Sequence, residues 1–130
     1  MNAVSAEVKA LVYKELASAN ERFPQFHSEH EGWAVMQEEA EELREECDSI
    51  EMAMEQLWHR IRDGISTKTH ATLVGRYAEA AACEAIQVAA MARKYLDMLE
   101  REEGNEKNCF NRYVYRGSTG THDCCCICVG

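Results

Sequence analysis

Apolar residues recur along this chain at helical spacing, and the rows they form divide it into three amphipathic segments. Over residues 3–20, Val4, Val8, Leu11, Val12 and Leu16 share one face. In the second segment Met36, Ala40, Leu43, Cys47, Ile50, Met54, Leu57 and Ile61 alternate four and three apart. That spacing is the seam of a packed amphipathic helix. In the third, Val74, Ala78, Ala81, Ala85, Val88, Ala92, Tyr95 and Leu99 repeat the pattern. A parallel stripe of Leu73, Tyr77, Ala80, Glu84, Gln87, Met91 and Met98 runs beside it. Punctuating residues place the boundaries. Residues 21–30 hold the turn Phe23-Pro24-Gln25-Phe26. Ser28 and Glu31 fit a capping box that opens the second helix near Glu29, and Gly64 supplies its stop after about Asp63. Residues 65–70 form a polar connection with Thr67 and Thr69 as N-caps. The third helix is expected to end at Gly104.

Two long helices joined by a short loop pack antiparallel. The expected fold is therefore all-α, with long antiparallel helices forming a four-helix-bundle core. Two or three helices leave apolar surface uncovered, so a homodimer is expected to complete that core. The helical domain spans residues 1–104. Residues 105–130 lose the helical period and read as an irregular, cysteine-rich tail, with Phe110, Tyr113, Val114 and Tyr115 as a short extended segment.

Glutamates interrupt the pattern in an ordered way. In the run Glu38-Glu39-Ala40-Glu41-Glu42, a turn of roughly 100° per residue sends Glu38, Glu41 and Glu45 into water. Glu39, Glu42 and Glu46 instead line the edge of the seam. Glu84 and Gln87 occupy the middle of the apolar stripe on the third helix. A carboxylate buried without a partner costs several kcal/mol, so such groups are expected to meet a cation or a donor. Ala80, Ala81, Ala82, Ala85, Ala89, Ala90 and Ala92 keep that helix slim and allow a neighbour to approach. A Glu-x-x-Glu edge facing a Glu-x-x-Gln row is an oxygen-ligand site suited to Mg²⁺, with Mn²⁺ as the alternative. The rival explanation for Glu84 is a buried salt bridge to Arg44, Arg76 or Lys94, and for Gln87 a hydrogen bond across the bundle.

Charge and cysteine usage narrow the function classes. The formal net charge of −9 disfavours attraction to nucleic-acid backbones. No stretch approaches the roughly 18 apolar residues of a membrane span, and the N-terminus lacks a signal-peptide core, so a cytoplasmic location is expected. Of the seven cysteines, Cys47 reads as a small buried seam residue, and four crowd into Cys124-Cys125-Cys126-Ile127-Cys128. An odd total without even spacing argues against a secreted disulfide framework.

The residues named above resemble a known family. Glu38-Glu39-x-x-Glu42 followed by Glu84-x-x-Gln87 is similar to the paired signature of MazG-like all-α nucleoside triphosphate pyrophosphohydrolases, usually EExxE and then ExxD. The lead-in Phe26-His27-Ser28-Glu29-His30-Glu31-Gly32-Trp33 and the stretch Glu84-Ala85-Ile86-Gln87-Val88-Ala89-Ala90-Met91-Ala92 resemble phage and prophage members. The likeness covers about residues 14–99. It implies a Mg²⁺-dependent hydrolase that splits a (d)NTP into the monophosphate and pyrophosphate. Glu39, Glu42 and Glu84 match metal ligands, and Gln87 stands where an Asp is usual. Its amide oxygen can coordinate Mg²⁺ but carries no charge and cannot act as a base. Glu38 matches the leading acid that helps to orient the attacking water. Lys68 in the inter-helix loop and Arg93 or Lys94, two turns beyond Gln87, are candidates for offsetting phosphate charge. Trp33, Trp58, Phe26 and Tyr77 are candidates for stacking on a base. Two other classes compete with this one: a non-catalytic nucleotide- or metal-binding protein of the same fold, and a structural helical-bundle protein whose acidic edge meets a basic partner.

Overall fold

The computed structural model describes residues 3–116, with side chains described as far as Asn105. Among the described residues the chain is all-α, with three helices: α1 Ser5–Arg22, α2 Glu29–Arg62 and α3 Lys68–Arg116. The chain divides into two compact units, residues 1–98 and 99–130. The three-helix packing below belongs to the first.

Local chemistry accounts for the ends of α2. Ser28 is its N-cap, extended in φ and ψ, and its hydroxyl accepts from the Glu31 N–H at 3.2 Å. The returning half of the expected capping box is displaced by one residue. The Glu31 carboxylate accepts the backbone N–H of His27 at 2.6 Å and lies 3.1 Å from its Nδ1. These bonds from His27 hold the Glu31 carboxyl below its ordinary range. At the other end Gly64 takes a φ of +66°, the left-handed conformation that a side chain would strain. The Ile65 N–H reaches the Arg60 carbonyl at 2.9 Å, and that of Gly64 reaches Ile61 at 3.2 Å. This is a Schellman stop.

Gly104 does not stop α3. The helix continues to Arg116, through the positions expected to be irregular or extended, Phe110, Tyr113, Val114 and Tyr115 among them. Of the described residues only Gly64 has a positive φ. A lone glycine costs a helix only about 1 kcal/mol and ends it only when the backbone turns left-handed. The cysteines at 124–128 lie outside the described residues.

Contacts between α2 and α3 run in opposite directions along the two helices, so the pair is antiparallel. Ser49 and Ala53 meet Leu73 and Tyr77, Glu42 meets Glu84, and Gly32 meets Tyr95. The packed stripes differ from the expected seams. On α2 the buried residues are Gly32 and Ala53, whereas Cys47, Met54 and Ile61 of the seam are exposed. On α3 the flanking stripe carries the burial, with Met91, Lys94 and Met98 inside together with Ala81 and Ala90, while Ala78 and Ala85 are exposed. A pair of helices buries only one strip of each. Here α2 settles on its acidic edge instead of the apolar seam. α1 closes the open side by burying Val12 and Leu16, and its Tyr13 ring carries the Arg93 guanidinium 4.7 Å from its centroid.

Gly32 shows how tightly the helices approach. A Cβ there would lie 2.5 Å from Tyr95 Cδ2 and 3.0 Å from Phe26 Cδ2, whereas one on Gly75 in α3 would meet nothing within 4 Å. Chemical denaturation of the two alanine variants should therefore move in opposite directions. Gly75→Ala gains helix propensity and stabilises by up to about 1 kcal/mol. Gly32→Ala gains the same propensity but loses more to overpacking, for a net loss on the order of 1 kcal/mol. Equal stabilisation of both would mean that the Tyr95 ring moves aside freely.

Candidate metal centre

The two helices carry their carboxylates to one place. Glu39 and Glu42 sit one turn apart on α2, Glu84 faces them from α3, and one oxygen of each lies within 4.8 Å of the others. The i, i+3 spacing puts the first two on the same edge, and the antiparallel register sets Glu84 at the same depth. No lysine or arginine among the described residues lies within ion-pair distance of the three. The rival salt bridge is therefore unsupported: Lys94 is turned to the Phe23 carbonyl instead.

The electrostatics are those of carboxylates that are partly buried and crowd one another. Burial raises the Glu39 carboxyl above its ordinary value, and the charges of Glu42, Glu84, Glu38 and Glu15 push it further. Burial likewise raises Glu84, followed by the charge and hydrogen-bonding approach of Glu42. Glu39 Oε2 is shut off from solvent with no hydrogen-bond partner among the described residues. An oxygen of this kind fits a cation ligand, because a desolvated acceptor without a donor is otherwise a net cost. Gln87 is next to the cluster, and its Nε2 donates to Glu84 Oε2 at 2.6 Å. That bond turns the Gln87 amide nitrogen toward the carboxylate. An oxygen-ligand role for Gln87 requires the amide to turn over. Hard oxygen donors of this number and charge suit Mg²⁺ or Mn²⁺.

A cleft of about 340 Å³ opens beside the cluster, lined in part by Glu39 and Gln87. Its lining carries two cations, Arg22 from the last turn of α1 and Lys94 two turns beyond Gln87 on α3, and its apolar part includes Phe23, Phe26 and Met91. Lys94 is only 3% exposed. Its ammonium donates to the Phe23 carbonyl and lies 4.9 Å from the Phe26 ring centroid. Burial pulls its pKa below the usual lysine value, against the opposing pull of Glu31.

The candidates from sequence are thus sorted by geometry. Glu39, Glu42, Glu84 and Gln87 converge, and Lys94 and Phe26 line the adjoining cleft. Glu38 is exposed, as its wheel position implied, and acts on Glu39 through its charge. Lys68 does not join them. It opens α3 some sixteen positions before Glu84, about 24 Å along the axis at 1.5 Å per residue. Trp33 lies outside the cleft, largely exposed beside Glu29, His30 and Tyr95. Trp58 is exposed, and Tyr77 packs near His70. Arg93 is taken by Tyr13, whose hydroxyl is 3.2 Å from Nη1. Arg22 and Glu15 were missed, since nothing in the α1 pattern distinguishes a cleft-facing charge from a solvated one.

Comparison of the chain with models of protein families, with curated proteins and with solved structures found no match to any of them.

Proposed function

We propose that this chain is a MazG-like, Mg²⁺-dependent nucleoside triphosphate pyrophosphohydrolase that converts a (d)NTP to the (d)NMP and pyrophosphate. The reading rests on one observation above all: the Glu39, Glu42 and Glu84 carboxylates gather within 4.8 Å with no basic partner among the described residues, beside a cleft that holds Lys94 and Arg22. A bound divalent cation would supply charge neutralisation at the phosphates, with Mn²⁺ as an alternative to Mg²⁺. Lys94 and Arg22, which line the same cleft, bind the phosphate oxygens. Phe23, Phe26 and Met91 give the nucleoside an apolar surface and exclude water from the reacting phosphate. Glu38, exposed next to Glu39, orients the attacking water. The uncovered row of Met54, Trp58 and Ile61 is closed by a second copy, completing a four-helix core, and the protein works in the cytoplasm.

Pyrophosphate release from a panel of canonical and modified dNTPs and NTPs, with and without Mg²⁺, tests this for the wild type and Glu39→Ala. Metal-dependent release that disappears in the variant is the expected result. A second reading, binding without hydrolysis, draws on Gln87, whose uncharged amide already engages Glu84 at 2.6 Å. No release but a Mg²⁺-dependent rise in melting temperature would favour that reading. Neither release nor a metal effect would leave a structural helical bundle.

A further inference from the structure

Apart from the cleft, a surface pocket of about 270 Å³ is lined by Glu29, His30, Trp33 and Tyr95. Its walls are held in place from within. The missing side chain at Gly32 lets the Tyr95 ring press against the α2 backbone, and the Tyr95 hydroxyl donates to Glu29 Oε2 at 3.0 Å. That bond orients both the ring and the carboxylate. Trp33 is 62% exposed and offers its indole to solvent at the pocket. Among the described residues the lining includes no lysine or arginine, and His30 is its one basic side chain.

We infer that this pocket binds an alkylated ammonium group, with Trp33 and Tyr95 as its aromatic walls and Glu29 as its counter-charge. The faces of an indole and a phenol attract cations through their ring quadrupoles, and an adjacent carboxylate adds a fixed charge of the right sign. Alkylation suits the ligand because it lowers the cost of removing the cation from water while giving the rings methyl groups to contact. An anion is poorly matched here. The first-turn acids Glu29 and Glu31 offset the positive end of the α2 dipole, and the chain carries a net charge of −9. The inference does not depend on the carboxylate centre, with which the pocket shares no residue, or on hydrolysis.

The test uses choline and tetramethylammonium as probes, with 3,3-dimethylbutanol as the neutral isostere of choline. Binding to the full chain is read from amide shifts in heteronuclear NMR. Both cations should shift Glu29, Trp33 and Tyr95 saturably, while the neutral alcohol does not. Trp33→Leu keeps an apolar side chain at an exposed position but removes the π face, and should weaken binding by at least about 10-fold. Glu29→Gln should weaken it several-fold. Unchanged circular dichroism shows that each variant is folded. Absence of saturable shifts, equal binding of the neutral isostere, or undiminished binding in folded Trp33→Leu would overturn the inference. So would displacement of choline by a simple nucleoside, which would assign the pocket to a base.

Discussion

Replacing Glu39 with glutamine is expected to raise the melting temperature of the metal-free protein and to abolish its response to Mg²⁺. The first effect follows from burial and from four like charges acting on one carboxyl. Because these raise its value in the folded state, the native protein retains a proton that the unfolded chain has already released. Stability is therefore lost as pH rises from the ordinary value of 4.5 through the raised one. Glu84 acts in the same direction. The metal-free protein should be more stable at about pH 5 than at about pH 8 as far as these two groups decide it. Glutamine removes the repulsion and gives the isolated oxygen position a neutral amide. A gain of about 2–5 °C would correspond to on the order of 0.5–1 kcal/mol in a domain of this size. Mg²⁺ should reverse the pH trend in the wild type, since it binds the ionised acids and stabilises by about 2.7 kcal/mol at a hundredfold excess over Kd. Thermal scans in chelator and in millimolar Mg²⁺ across that pH range check both halves. A Glu39→Gln variant that is destabilised in chelator, or still gains from Mg²⁺, would show that Glu39 is a structural residue.

The acidic centre was readable in the sequence because its logic is local. An i, i+3 pair shares a helix edge wherever the helix packs, and Glu84 is conspicuous within a stripe of apolar neighbours. The boundaries of α2 were readable for the same reason: Ser28 and Gly64 act within one turn of themselves. What depends on packing was not. The four-three seam of α2 is a stronger periodic signal than the acidic edge, yet α3 packs on the edge and leaves Met54 and Ile61 exposed. Periodicity ranks faces by hydrophobicity and does not say which face one particular neighbour covers. Gly104 failed as a stop because composition cannot reveal whether a glycine backbone turns left-handed. Arg93 and Lys94 are adjacent and equally basic. They diverge by roughly 100° around α3, one toward Tyr13 and one into the cleft. Lys68 was attractive as a loop cation, but the loop lies at the opposite end of a long helix pair from the α1–α2 connection that borders the cleft.

The separation of Arg93 from Lys94 leads to the sharpest test of the cleft. Lys94→Met should lower kcat/KM for a nucleoside triphosphate by about 10–100-fold, the worth of one charge-assisted hydrogen bond. Its fold should survive. The substitution keeps the apolar stem and removes a cation that is almost fully desolvated, and the Phe23 carbonyl it releases belongs to a residue that is itself exposed. This ammonium has a carbonyl and an aromatic ring as its direct partners but no carboxylate within ion-pair distance among the described residues. A desolvated cation so partnered is suited to an arriving anion. Arg93→Met, one position earlier, should leave kcat/KM within about twofold and cost only the Tyr13 contact, on the order of 0.5–1 kcal/mol of stability. The pH profile separates a phosphate ligand from a packing residue. Burial lowers the Lys94 value from 10.5, so wild-type kcat/KM should begin to fall on the alkaline side before an ordinary lysine would lose its proton. That alkaline limb should be absent in Lys94→Met. Equal losses in the two variants, or an alkaline limb that persists without Lys94, would place the phosphate-binding cation elsewhere, with Arg22 of the same cleft the next to be replaced.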